Sequence, residues 1–560
     1  MPATPYECED GPVPKLIVVF AFALTVATIL GTGILALPVK LSDSGFGPFM
    51  ATFTVCLLMQ LFIVFFMIHL LQEAAVRLYQ DAERGVGAEL NEVNLLGADG
   101  ERGRGSDADL LEQDRESIAT RPERMLSAAE LSDSEDEAPV AGSKVRTLKL
   151  SDVRLSDTSR LDGGEDVDDA AASSADAQPP LVIGRISRSE TRAPLAQGPD
   201  LHLLGKLFLN RPMGIAFDTA VMLHFVAILV AYTLAGAQAY GDLLNVSFVV
   251  IIPFFALALT SLVLFGDRFL SHIIASMTMF KGGLLIVMVG IVGYVAGQVN
   301  EPTSDDWTQI GEPFLLGTLS LGGAVNTIPV VFSRVPFTRR SIRAVRAAIS
   351  AGVATCWILV TLWCYFIPRV VPQTEGKFSL AEAQREGQIS THPLVEILDR
   401  DHPQYAWVSV LVKTFIVVSI TVSYISMSMG FKHALDGWVK APSERTRALL
   451  ARIRSKACFA RFAPAALHQL ILYVPCFGFI LFVAWINPGG FLLVLETFGT
   501  LVLNLESGAF LAYMVLLRFR AGFEPVPLPL DSWVRHSCVP VALYFLFAVA
   551  YDVVVFFTKL

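Results

Sequence analysis

Long apolar runs alternate with short polar connections along this chain, and the runs are long enough to cross a bilayer. A spanning helix needs about 20 apolar residues. Eleven stretches read as spans: 16–40, 46–74, 214–241, 247–265, 270–297, 313–333, 345–369, 405–430, 465–486, 490–517 and 537–558. Two of them are interrupted. The first carries Ile29-Leu-Gly-Thr-Gly-Ile-Leu-Ala-Leu-Pro38, which puts Gly31, Thr32 and Gly33 near mid-depth. The sixth carries Ser320, Gly322, Gly323 and Asn326, with Pro329 just after. Glycine leaves helical geometry readily, and backbone left unpaired at that depth survives only inside protein or against a cavity. The pattern predicts two broken helices. Spans 1 and 6 open two sets of five, so the pair reads as matching elements of an inverted repeat. Either span alone would read as well as a close-packing point between helices.

Residues 80–205 break the apolar pattern. They are rich in Asp, Glu, Ser, Ala and Gly, as in Glu130-Leu-Ser-Asp-Ser-Glu-Asp-Glu137. Such a stretch buries too little apolar area to offset its ordering entropy, so disorder is expected. The chain therefore divides into a tail (1–15), spans 1 and 2 (16–79), an acidic, Ser-rich insert (80–205), and spans 3 to 11 (206–560).

With 53% hydrophobic residues over 560 positions and a mean hydropathy of +0.54, an ordinary soluble protein is excluded. The net charge of −9 conceals a segregation of acid from base. Arg334, Arg339, Arg340, Arg343 and Arg346 share one connection, and Lys432, Lys440, Arg445 and Arg447 open another. The alternate connections 242–246 and 298–312 hold no Lys or Arg. Basic loops face the cytosol, so the N-terminus and the insert are expected there, with the C-terminus exoplasmic or lumenal. A plasma membrane or an endolysosomal or vacuolar membrane fits equally. Glu7, Glu9 and Asp10 argue against a cleavable signal peptide. In the insert, Ser132 and Ser134 suit acidophilic kinases and Arg185-Ile-Ser-Arg-Ser189 suits basophilic ones. Asn245-Val-Ser247 is a glycosylation sequon on a short turn that leaves a transferase little room.

A broken helix exposes N–H groups that suit a carboxylate and carbonyls that suit an ammonium or a metal cation. A site with both ends fits a zwitterion, and amino acids are the small zwitterions at hand. Charged residues within spans are expensive and read as functional by default. Lys281, deep in span 5, either takes the place of a bound cation at the break, with an ammonium that could shed a proton when desolvated, or makes a structural pair with a carboxylate or helix carbonyls. Glu506, at mid-depth in span 10 beside Asn504 and Ser507, is either a proton carrier or that partner of Lys281. Ser423, one of five hydroxyl residues between 419 and 428 of span 8, is a candidate ion ligand or ordinary interhelical glue. His224 in span 3 reads as a hydrogen-bonded packing histidine. There is no P-loop, HExxH, GxSxG or paired Cys/His spacing. Neither enzyme nor ATP-driven pump is expected, and no cofactor, metal centre or nucleic-acid partner.

Gly31-Thr-Gly-Ile-Leu-Ala-Leu-Pro38 followed by Ser44-Gly-Phe-Gly-Pro48 resembles the first-helix signature of the amino acid/auxin permease family, within the amino acid–polyamine–organocation superfamily. The span count, Asn326-Thr-Ile-Pro329, the long acidic insert and the lysine in span 5 are most similar to its transmembrane protein 104-like branch. The resemblance implies an all-α polytopic protein with a leucine-transporter-type 5+5 inverted repeat plus an eleventh helix. It implies proton- or sodium-coupled amino acid transport, with substrate at Gly31, Thr32, Gly33, Gly322 and Gly323. The spans themselves add Ser320 and Asn326 as candidate substrate contacts and Lys281, Glu506 and Ser423 as candidates for ion coupling. Relatives often carry His where Asn326 stands, so proton coupling at that position is not expected, and Lys281 disfavours a bound sodium. The reading is a secondary active transporter, more a proton than a sodium symporter. The rival is a membrane-embedded amino acid sensor signalling through the insert.

Overall fold

The computed structural model describes residues 13–100, 198–440, 452, 464–486 and 499–559, apart from 375, 387, 402 and 524. The chain separates into two compact units, Met1–Ala82 with Ala193–Leu560, and Glu83–Arg192. Apart from the helical residues after Ala82, all features below belong to the first. Among the described residues, ten helices are long and apolar enough to cross a membrane. The first apolar run, split into two shorter helices, supplies the eleventh span. The protein is an all-helical, multi-span membrane protein.

Burial sorts the spans into centre and periphery. In the most apolar window of each, 89% of span 6 (Gly311–Phe332) and 83% of span 3 (Arg211–Leu244) is buried, against 22% for span 4 (Phe248–Phe265), span 9 (Leu467–Ile486) and span 11 (Ser532–Thr558). The outer helices turn Phe254, Phe265, Phe479 and Phe547 outward, where hydrocarbon is the solvent. Packing follows a repeat. Span 3 lies against span 4 and span 10 (Thr500–Ala521); span 8 (Pro403–Val439) lies against span 9 and span 5 (His272–Val299); spans 3 and 8 lie against each other. The pairs 3–4 and 8–9, and the pairs 3–10 and 8–5, are the equivalents that a five-plus-five repeat requires.

Span 1 is two helices, Lys15–Ile29 and Thr32–Ser44. Its far end is pinned. Lys40 Nζ lies 3.2 Å from Glu312 Oε2 at the start of span 6, which sets the two spans antiparallel. The Ser44-Gly-Phe-Gly-Pro48 turn to span 2 (Phe46–Gln80) takes its glycines from packing as well as from conformation. Gly45 has φ +76°, and a Cβ there would sit 2.2 Å from Ser304 O; one at Gly47 would sit 2.5 Å from Asp305 Oδ2. Gly47 N donates to Asp305 Oδ1 at 3.0 Å.

The connections between spans carry structure of their own. The segment 370–404 is no plain loop: it forms helices Leu380–Arg385, against span 1, and Thr391–Arg400, against span 8. Ser379 caps the former through Glu382 N. The edges of the 80–205 insert are also helical. Helix continues to Gly100, and Leu201–Phe208 is capped by Asp200, with Leu201, Leu204, Gly205 and Phe208 on one buried face. That spacing of three and four residues is a helical stripe that the surrounding acidic composition obscured. The remainder of the insert, with its serines, lies outside the described residues. Asn245, finally, caps span 3 in the left-handed region (φ 54°), a conformation asparagine tolerates better than most residues.

Candidate functional site

The break in span 1 begins where Leu30 (φ −76°, ψ 39°) and Gly31 (φ −95°, ψ −115°) leave helical geometry. A helix that stops leaves its last four carbonyls without partners inside it, and buried carbonyls need partners. Span 5 and span 8 supply them. Lys281, fully buried, donates to Ala27 O at 3.1 Å, Ser419 O at 3.2 Å and Ser423 Oγ at 2.9 Å. Ser423 Oγ donates on to Ala27 O at 2.7 Å, and Ser419 Oγ donates to Leu30 O at 2.7 Å. From span 3, the Tyr232 hydroxyl points at Thr28 O, 3.5 Å away. An ammonium has three N–H donors, and here all three are used. Lys281 thus ties the end of the first half-helix to span 8.

Gly31 is required by this arrangement. A Cβ on it would lie 2.2 Å from Tyr232 Oη and 2.9 Å from Ser423 Oγ. The backbone at the break fills the space between those two hydroxyls, and no larger residue fits without displacing one of them.

Span 6 breaks more gently. Its first helix ends at Gly322, residues Val325–Thr327 form a 3₁₀ turn, and helix resumes at Ile328–Phe332. The tighter turn leaves helical backbone groups unmatched without an extended gap. Asn326 is buried, and neither of its side-chain polar atoms has a hydrogen-bond partner.

Between the two breaks is a small void. Span 1 contributes Thr28 and Ile29, span 6 Ser320 and Gly323, span 3 His224 and Tyr232, with Met427 closing it from span 8. Ser320 Oγ and both ring nitrogens of His224 are buried without hydrogen-bond partners. Native interiors rarely leave such groups unpaired, so their gathering around one void marks a place where a polar ligand or water completes them.

Comparison with known proteins adds a likeness of shape. No family model matches the chain, and no curated protein does. Among solved structures, the manganese transporter of Eremococcus coleocola in complex with an aromatic bis-isothiourea substituted compound aligns over 99% of this chain and 92% of its own, at 10% identity and a TM-score of 0.49. A histidine-to-alanine mutant of that transporter aligns over 63% of this chain and 82% of its own, at 11% identity and a TM-score of 0.33. Likenesses at this level fix neither ligand nor mechanism.

The sequence-derived candidates fall into three groups. Ser320 and Gly323 line the void, while Gly31 sits at the first break between Tyr232 and Ser423, and Thr32 and Gly33 form the first turn of the half-helix that follows it. Lys281 and Ser423 meet at the first break. Gly322, by contrast, does not line the void: its Cβ direction points to Leu503 of span 10 and Gln60 of span 2, at 2.5 and 3.2 Å. It is a close-packing glycine, one residue out of phase with Gly323. Asn326 lies in the break itself, beyond the void lining. Glu506 is not the partner of Lys281; it sits in a π-helical turn, Asn504–Phe510, and its carboxylate lies 3.9 Å from His224 Nδ1. His224 is not a hydrogen-bonded packing residue, because it makes no hydrogen bond and faces the void. Tyr232 and Thr28 were legible only through their spans. A tyrosine in an Ala-rich stretch, Ala231-Tyr-Thr-Leu-Ala-Gly236, is the kind of isolated bulky polar side chain that signals a facing glycine.

Proposed function

We propose that the protein is a secondary active transporter of amino acids, proton-coupled, that works by alternating access with substrate held at the breaks of spans 1 and 6. The observation that carries this reading is the void enclosed by both interrupted spans. Its chemistry is that of a zwitterion site. The second half-helix of span 1 begins at Thr32 without a side-chain cap, so its first N–H groups and the positive end of its dipole are available to a carboxylate. The Ser320 hydroxyl and the last carbonyls of the span 6 helix that ends at Gly322 are placed to accept from an ammonium. The apolar remainder of the lining suits an organic side chain. A transition-metal cargo would call for several imidazole, thiolate, thioether or carboxylate ligands, and of these the void lining holds the His224 imidazole and the Met427 thioether. The resemblance of Gly31–Pro38 and Ser44–Pro48 to amino acid/auxin permeases agrees with an amino acid cargo.

Lys281 occupies the place where a broken helix would otherwise need a bound metal cation, so sodium is not required to complete the first break. Spans 1, 2, 6 and 7 form the moving bundle and spans 3, 4, 8 and 9 the scaffold. The experiment is uptake of a tritiated mixture of the proteinogenic amino acids into proteoliposomes, under an imposed pH or sodium gradient. Accumulation driven by the pH gradient and insensitive to sodium is expected. Accumulation that follows sodium alone contradicts the assigned role of Lys281, and no saturable uptake under either gradient contradicts the transporter reading.

A further inference from the structure

Two buried titratable side chains remain outside the site as described. His224 and Glu506 are each about 1% exposed, and their facing atoms, Nδ1 and Oε2, are 3.9 Å apart. None of the four polar atoms of the pair has a hydrogen-bond partner. His224 lines the void, whereas Glu506 lies in the π-helical turn of span 10. Wide turns of this kind recur at functional sites because they re-aim a side chain without ending the helix. A contact of 3.9 Å is roughly 1 Å longer than a hydrogen bond, so a small shift of span 3 against span 10 makes or breaks it.

Span 11 packs on the turn that carries Glu506 and brings Tyr544 and Asp552, the latter accepting from the Thr500 hydroxyl of span 10. Toward His224 the void presents Met427 of span 8, Leu319, Ser320 and Gly323 of span 6, and Thr28 and Ile29 of span 1. On the elements packed against span 3, Tyr424 of span 8 is bonded to Thr260 of span 4, and Tyr473 of span 9 is bonded to Asp436. His202 and Asp218 are bonded to each other at the start of span 3, and Asp200 caps helix Leu201–Phe208. Lys281 is held at the first break by Ala27 O, Ser419 O and Ser423 Oγ.

We propose that His224 and Glu506 form the proton site of the transporter, one exchangeable proton being added to the pair when a carboxylate enters the void. The proposal rests on the transport reading and names its coupling groups. With one proton between them the pair is neutral, as a neutral imidazole beside a carboxylic acid or an imidazolium beside a carboxylate. A second proton makes the pair cationic, and in a low-dielectric interior that state needs an anion nearby. The substrate carboxylate supplies it. Binding of proton and substrate then favour each other reciprocally. In the transfer within the pair, the Nδ1–H bond breaks and an O–H bond forms on Oε2, with no other bond changed. When substrate leaves, the second proton follows.

Two measurements on the full-length protein test this. The first uses the wild type in weakly buffered detergent, with a pH-indicator dye and the same amino acid mixture. Uptake of about one proton per bound substrate is expected, and binding with no proton uptake overturns the proposal. The second compares Glu506→Gln and His224→Gln with the wild type in proteoliposomes. Accumulation driven by a pH gradient is expected to fall at least about tenfold, while Glu506→Gln still exchanges labelled for unlabelled amino acid at equal pH. Accumulation equal to wild type in both variants overturns the proton pair and leaves the transport reading intact. Failure of the wild type itself to exchange or accumulate overturns the transport reading, and the pair with it.

Discussion

Lys281→Met is expected to destabilise the protein more than any other single change in the bundle core. The methionine keeps most of the volume of the side chain but none of its donors. Ala27 O and Ser419 O would each lose a hydrogen bond in a site with no access to water, and Ser423 would lose the group that orients it. Ala27 O keeps the Ser423 hydroxyl and Ser419 O keeps its bond within the span 8 helix. The loss is therefore that of hydrogen bonds to a charged donor, about 1.5–3 kcal/mol each, read as a drop in the thermal unfolding temperature in detergent. Lys281→Ala is the more informative companion. It leaves a hole lined by carbonyls and a hydroxyl, which suits a small monovalent cation. Sodium, but not choline, is therefore expected to raise the unfolding temperature of Lys281→Ala in proportion to occupancy and to leave the wild type unchanged. A wild type stabilised by sodium, with an indifferent Lys281→Ala, would show that the lysine does not occupy a cation position.

Gly31→Ala should remove transport while sparing most of the fold. Its methyl group would meet the Tyr232 hydroxyl at 2.2 Å and the Ser423 hydroxyl at 2.9 Å. Overpacking of this kind costs about 1–3 kcal/mol, but the functional loss is larger because both neighbours hold the break in shape. Tyr232→Phe removes the closest atom of the clash. The pair of substitutions is expected to be less damaging than the sum of the singles, a coupling that a double-mutant cycle in uptake rate and unfolding temperature measures. Strict additivity would mean that Gly31 and Tyr232 do not meet in the working protein.

The parts of this arrangement legible in the sequence are those that depend on composition along one helix. Eleven apolar runs give eleven spans, and glycines in mid-run mark both breaks. A lysine too deep to reach the surface has to find acceptors, and a broken helix is where buried acceptors occur. What depends on rotation about a helix axis was not legible. Gly322 and Gly323 are adjacent in sequence, yet one packs against span 10 and span 2 while the other opens on the void. A 100° turn between neighbours decides this, and the sequence does not state the phase. Pairings between distant spans were equally hidden. Glu506 faces His224 rather than Lys281 because the π-helical turn shifts its direction, and no residue pattern announced that turn. The helix at 201–208 was masked by its acidic neighbours, though its apolar stripe was present.

The most direct test of the zwitterion site is binding of the tritiated amino acid mixture to the purified full-length protein, compared between wild type and Gly323→Val. A Cβ at Gly323 meets nothing closer than Thr28 O at 3.6 Å, so the substitution starts without a backbone clash and its branches take up the void. Saturable binding to the wild type, lost in Gly323→Val at an unfolding temperature close to that of the wild type, is the expected result. Binding of equal capacity in both proteins would place the substrate elsewhere, and no saturable binding to the wild type would contradict the site altogether.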